Sequence, residues 1–292
     1  MTALTLAAEW EHHFIETNRI RLHYVTQGAG DLVVLLHGFP EFWYSWRYQI
    51  PALSRYFKVV VPDLRGYNDS DKPATGYDLD TLAADIQGLI ESLGYTRAHI
   101  VGHDWGGAIA WHMAQKFPQY LNRMVILSAA PVQHFVQELV SNVDQLRRSW
   151  YILGFQVPGI PEWLIQQNLS EFVKNLLREQ AIRKGAFTRE DAEIYQSALA
   201  KPGVLSAALN YYRQMFSPWN WVKDWLNTPN IITVPTLVLW GEEDSLVPPK
   251  VTQGLERLIA APFNLKMIPH CGHWIQQEAP QTVNRELLAF LR

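Results

Sequence analysis

Near the amino end, "EHHFIETNRIRLHYVTQGAG" holds two stretches in which apolar and polar residues alternate, on either side of Thr17-Asn18-Arg19. Alternation at period two around turn-forming residues predicts a β-hairpin. The pattern then changes. "DLVVLLHGFPE" carries an unbroken apolar run, Leu32 to Leu36. Such a run fits a strand buried on both faces, the situation inside a parallel sheet. "FKVVVPDLRG", "AHIVGHDWGG", "MVILSAAP" and "VPTLVLWGEED" repeat it. Stretches with helical period lie between them, from Leu79 to Leu93 and from Ala108 to Phe117. Strand alternating with helix predicts an α/β fold, with a mostly parallel central sheet, flanking helices and right-handed crossovers.

This alternation stops between residues 131 and 230, where the pattern is helical and punctuated by "VPGIPE", "KPG" and "SPW". It resumes at Val234 and runs to a last helix around Gln281 to Leu291. The expected division is therefore a core in two pieces, residues 1–130 and 231–292, with a helical insertion, residues 131–230. No internal repeat or low-complexity tract interrupts it.

Composition narrows the picture. Hydrophobic residues make up 48 % of the 292 and charged residues 18 %, enough to bury a core. The formal net charge of −3, from 25 basic and 28 acidic residues, points to neither nucleic acid nor an anionic membrane as partner. A single cysteine, Cys271, excludes an internal disulfide and fits a reducing compartment. "MTALTLAAEWEHHF" lacks a basic segment followed by an apolar one, and no apolar run approaches the roughly 18 residues of a spanning helix. These features predict a soluble, cytoplasmic protein. Of the 12 tryptophans, Trp150, Trp163, Trp219, Trp221 and Trp225 fall in the insertion. Core packing accounts for most of them, and a large apolar pocket is the sharper reading.

Chemistry enters at "GHDWGG", residues 102 to 107. A buried strand, a glycine-flanked turn and a helix make a nucleophile elbow. Asp104 stands at its apex. The competing role for Asp104 is to cap the helix that follows. His273, in "HCGHWIQQEAP", lies between a strand-like "FNLKMIP" and the last helix. His270, Cys271 and His273 match no ordinary zinc spacing, so no metal is expected. After "LVLWG" comes an acidic cluster; Asp244 is the candidate partner of His273, with Glu242 and Glu243 as competitors. No carboxylate follows "MVILSAAP" to replace it. The order nucleophile, acid, histidine is that of α/β-hydrolases.

Together "HGFPEFWYSWRYQIPAL", "PDLRGYNDSDKP", "GHDWGG", "GEEDSLVP" and "CGHW" resemble the α/β-hydrolase-fold epoxide hydrolases of the soluble type, over nearly the whole chain. The haloalkane and haloacid dehalogenases are similar and also use an aspartate. The resemblance implies an α/β-hydrolase core with an inserted helical cap domain over the active site, and an oxyanion hole formed by the Phe39 and Trp105 backbone N–H groups. It implies that His37 shapes this turn and that Phe39-Pro40 is cis. It also implies two cap tyrosines. "WYILGFQVPG" maps one onto Tyr151, and "NYYRQM" maps the other onto Tyr212, with the adjacent Tyr211 as the alternative. Fluoroacetate-type dehalogenases would carry an arginine where this chain has Trp105, and a His-Trp pair at Trp150 and Tyr151. Many haloalkane dehalogenases carry an asparagine at Phe39.

The implied reaction is the opening of a small apolar epoxide by water, with no cofactor. Asp104 would form an ester with the substrate, and His273, oriented by Asp244, would activate water to hydrolyse it. A dehalogenase is the runner-up, and a non-catalytic binding protein on the same scaffold is the third reading. The natural substrate, the attacked carbon and the oligomeric state are not legible.

Overall fold

The structure, a computed structural model, describes residues 10–141, 150–215 and 230–292, without the side chains of residues 138–141, 150 and 151. The hairpin forms as the alternation predicts. β1 (Glu11–Thr17) and β2 (Ile20–Gln27) pair antiparallel, with Thr17 opposite Ile20. Asn18 and Arg19 turn the chain with φ of 44° and 64°, both left-handed, which matches the twist of the flanking strands.

The unbroken apolar runs become interior strands. They are β3 (Leu32–Leu36), β4 (Lys58–Pro62), β5 (Ala98–His103), β6 (Leu121–Leu127) and β7 (Thr236–Gly241). β8 (Phe263–Ile268) completes an 8-stranded sheet in the order β1-β2-β4-β3-β5-β6-β7-β8. Pairing is parallel from β4 to β8 and antiparallel at β1–β2 and β2–β4. Every residue of β3, β5 and β7 is buried, because helices cover both faces.

α1 (Leu79–Ser92) starts at Asp78, whose carboxylate accepts the Thr81 N–H at 3.0 Å. α2 (Trp105–Lys116) starts at Trp105 rather than at Ala108, where the periodicity places it. Gly106 and Gly107 weaken the local helix signal, and the turn at Asp104 starts the helix instead.

Between β6 and β7 the described elements are all helical. They include α3 (Val132–Ser141), α4 (Trp150–Phe155), α5 (Ile160–Gln167), α6 (Arg189–Leu199) and α7 (Val204–Met215). The last helix is α8 (Pro280–Leu291).

Buried polar bonds tie the inserted segment to the core. The Asp191 carboxylate on α6 accepts from Tyr44 Oη at 2.9 Å and lies 3.2 Å from the Arg47 guanidinium. Tyr195 Oη donates to Gln277 at 2.8 Å, and Tyr211 Oη donates to the Arg65 carbonyl at 2.7 Å. Glu278 accepts the Ile182 and Arg183 N–H groups, each at 2.9 Å. Among the described residues, no helix is long and apolar enough to cross a membrane.

Candidate active site

The carboxyl ends of β5, β7 and β8 converge on one point, as open parallel sheets allow. Asp104 follows β5 with φ 50° and ψ −118°, a conformation that L-residues rarely adopt. Two close approaches create the elbow. A Cβ on Gly106 would lie 2.3 Å from the Leu36 carbonyl, so the helix can approach β3 only with glycine there. A Cβ on Gly38 would lie 2.3 Å from Asp104 Cβ, so the turn after β3 presses directly on the aspartate. The capping role is ruled out by geometry: the Asp104 side chain caps no helix N–H. Its Oδ1 instead accepts the Phe39 N–H at 2.8 Å, and its side chain is 21 % exposed. Phe39-Pro40 is cis. Trp105 is the first residue of α2, where a backbone N–H has no partner within the helix.

His273 is buried, with Nε2 3.7 Å from Asp104 Oδ2 and Nδ1 2.8 Å from Asp244 Oδ2. Asp244 is held in turn. Its Oδ1 accepts the Leu246 and Val247 N–H groups at 3.0 and 2.8 Å. The competing acids do not reach His273: Glu242 is exposed, and Glu243 is exposed and faces His270 at 3.2 Å.

Charges tune the pair. Burial alone would raise the Asp104 carboxyl, but the hydrogen bond and charge of His273, the charge of His103 and the Phe39 N–H hold it below the usual carboxylate range. Burial alone would lower the His273 imidazole, but Asp244 and Asp104 keep it well above its ordinary value. The neighbouring Cys271 thiol is pushed up to about 12 by burial.

A pocket opens over Asp104. Ala108, Ala129, Val132, Phe135, Ile152 and Met215 give it apolar walls, and Tyr212 closes it from α7. The Tyr212 ring meets Trp105, Phe155 and Phe39 edge-on at 5.1, 5.3 and 5.5 Å. Tyr211 spends its hydroxyl on the Arg65 carbonyl and does not line the pocket, which separates the two neighbours. Tyr151 belongs to α4, but its side chain lies outside the described residues. Trp163 departs from the expected packing: it is 60 % exposed and lines neither core nor pocket. Trp150, Trp219, Trp221 and Trp225 have no described side chain.

Residues 31–280 match the model of the alpha/beta hydrolase fold family. Epoxide hydrolase 4 of Mus musculus is 38 % identical over 288 residues, which are 95 % of this chain and 78 % of the relative. The Bacillus megaterium epoxide hydrolase, solved in complex with an inhibitor, superimposes with a TM-score of 0.86 at 31 % identity, over 96 % of this chain and 99 % of that one. The chain belongs to the epoxide hydrolases of the α/β-hydrolase fold. A further B. megaterium structure in the family, at 31 % identity and a TM-score of 0.83 over 96 % and 99 % of the two chains, holds its product, a naphthyloxy-propane-1,2-diol.

Three groups around the site escaped the sequence reading. His103 Nδ1 lies 2.8 Å from Glu41 Oε2, and its Nε2 lies 3.0 Å from the His273 carbonyl. Glu41 is fully engaged: it also accepts the Gly38 N–H at 3.1 Å and the Gln276 and Gln277 amides at 3.1 and 2.7 Å. One buried pair thus braces the turn after β3, the elbow and the histidine loop together. Both residues sit inside quoted motifs, "HGFPE" and "GHDWGG", and adjacency to the expected site residues was the available signal. Ser128, after β6, is the third. It lines the pocket with φ 47°, and its buried Oγ has no hydrogen-bond partner among the described residues.

The site offers no metal-ligand cluster among the described residues. The group with suitable spacing, His23, Asp63 and Asp69, is committed to internal bonds, including His23 Nδ1 to Asp63 at 2.6 Å.

Proposed function

We propose that this protein hydrolyses epoxides to vicinal diols through an ester on Asp104. The observation that carries the reading is a carboxylate, in place of a hydroxyl, at an elbow that also faces a histidine–aspartate pair and a backbone N–H donor. The two oxygens of Asp104 are unequal. Oδ1 is held by the Phe39 N–H, which leaves Oδ2 to attack. An aspartate is ionised at neutral pH and needs no base. It is a weak nucleophile, but ring strain makes the epoxide carbon open to in-line displacement.

As the Oδ2–C bond forms, the C–O bond breaks and the departing oxygen needs a proton. Tyr212 closes the pocket above Asp104 and is assigned as a donor; Tyr151 is its partner on the strength of the family resemblance. Esterification removes the negative charge of Asp104, one of the two that held His273 protonated. His273 then gives up its proton, which restores the tyrosine through solvent, and becomes a base. It takes a proton from water, and the water oxygen attacks Asp104 Cγ. The Phe39 and Trp105 N–H groups stabilise the oxyanion at Oδ1. The tetrahedral intermediate collapses, the diol oxygen leaves with the proton of His273, and the Asp104 carboxyl returns its own proton to His273. On this reading the helices between β6 and β7 form the cap, and no step needs a metal or cofactor.

The apolar walls fit an apolar substituent on the epoxide, in keeping with the aryl diol held by the B. megaterium relative. A single turnover in isotopically labelled water tests the scheme. The diol should carry no label and Asp104 should gain one oxygen; label in the first-turnover diol would mean direct attack by water.

A further inference from the structure

The inserted segment shows a surface that its own fold does not use. Leu153, Val157, Ile160, Trp163 and Leu164 are between 48 % and 60 % exposed. They form one face. Ile160, Trp163 and Leu164 share a side of α5 at spacings of three and four, and Leu153 and Val157 flank the turn that leads into it. The opposite side of α5 packs inward through Pro161, Glu162 and Ile165, and α4 packs inward through Ile152 and Phe155. A helix with apolar residues on both sides is ordinarily covered on both.

The segment that carries these side chains is also poor in charge. Residues 152–168 contain a single ionisable side chain, Glu162. It is buried and held by both terminal nitrogens of Arg213 at 2.8 and 3.1 Å. The exposed polar rim consists of amides, Gln166, Gln167 and Asn168.

We propose that this face is a self-association surface that joins two copies of the chain through their inserted helices. Charge distinguishes this occupant. A two-fold contact sets the same patch against itself, so a face of one charge sign would repel its copy, whereas an uncharged one does not. A face that lies on a membrane would carry lysine and arginine around its apolar centre. Size agrees. Five side chains about half exposed offer on the order of 500 Å² of apolar surface, a patch large enough to mark an interaction site. Two such patches together bury about 1,000 Å², near the lower bound of a specific interface. The contact would set α4 between the partner copy and the pocket, because Ile152 lines the pocket from its inner side.

Sedimentation velocity of the full chain from about 1 to 100 μM should show a monomer–dimer equilibrium. Trp163→Glu and Ile160→Glu each bury a carboxylate in the apolar contact and should weaken association at least about tenfold. Trp163→Gln should weaken it less. Epoxide turnover per subunit within about twofold of wild type confirms that the variants fold, since neither residue touches the pocket. Leu164→Gln and Val157→Ser serve if a glutamate variant does not fold. A wild type that stays monomeric throughout overturns the proposal. So does a dimer that both glutamate variants leave equally tight. Flotation of the wild type with phosphatidylcholine vesicles, lost in Trp163→Glu, would assign the face to lipid instead.

Discussion

The carboxyl edge of the sheet and the inserted helices solve different problems. At the sheet edge every catalytic candidate is fixed by something else: Asp104 by the Phe39 N–H, His273 by Asp244, and Asp244 by two backbone N–H groups. The inserted segment is held in this way where it bonds the core, at Asp191, Tyr195 and Tyr211 and at the Ile182 and Arg183 N–H groups. Its other end, α4 and α5, leaves apolar side chains in solvent. Rigid positioning is needed where bonds are made and broken. The helices instead line the pocket, with Ile152 and Tyr212 among its walls, and leave apolar surface exposed.

This contrast can be broken at several points. The largest effect is expected at the elbow. Asp104→Ala removes the nucleophile and should lower epoxide turnover on the order of ten-thousandfold, with the fold intact by circular dichroism. His273→Gln comes next. Ester formation should persist while ester hydrolysis slows about a thousandfold, so mass spectrometry with excess epoxide should show the protein heavier by one substrate. A protein that stays unmodified and turns over normally would refute the role of His273. Tyr212→Phe keeps the ring packing and removes one donor. It should slow ester formation about a hundredfold, roughly 3 kcal/mol, and leave hydrolysis of the pre-formed ester nearly unchanged. Equal slowing of both steps would place the defect elsewhere. Asp191→Ala should act on stability instead. It leaves Arg47 buried without its ion partner and removes the Tyr44 acceptor, so denaturant unfolding should report a loss of about 3 kcal/mol.

The smallest effect is a displacement on the pH axis. Asp104 is held below the ordinary carboxylate range, so it stays ionised as pH falls, and the acid limb of ester formation should lie below the range where free carboxylates titrate. Ester hydrolysis needs neutral His273, so its acid limb should lie at higher pH. Stopped-flow measurement of the two steps separates them; coincident limbs would contradict the assignment.

What was legible in the chain follows the same division. The apolar runs of β3 to β7 name themselves, because strands buried on both faces admit few other residues. The elbow and the choice of Asp244 over its neighbours were readable from short local patterns. The helix start at Trp105 was not, since glycines mask it. Nor was the bracing of the site: Glu41 meets His103, and Arg47 meets Asp191, across long separations in the chain. Each of these residues looks locally like any surface charge, and only the tertiary fold decides that it is buried and paired. Trp163 failed in the opposite sense, because an apolar residue in a helical pattern is ordinarily read as core, and here it is 60 % exposed.

The unequal oxygens of Asp104 give the enzyme a memory of one cycle. On the proposed scheme, Oδ2 leaves with the diol and the oxygen of the attacking water replaces it, while Oδ1 stays under the Phe39 N–H. If the carboxylate does not rotate between cycles, the replacement oxygen becomes the next nucleophile. Each diol then carries away the water consumed by the molecule before it, and a pulse of labelled water should emerge in product one turnover late.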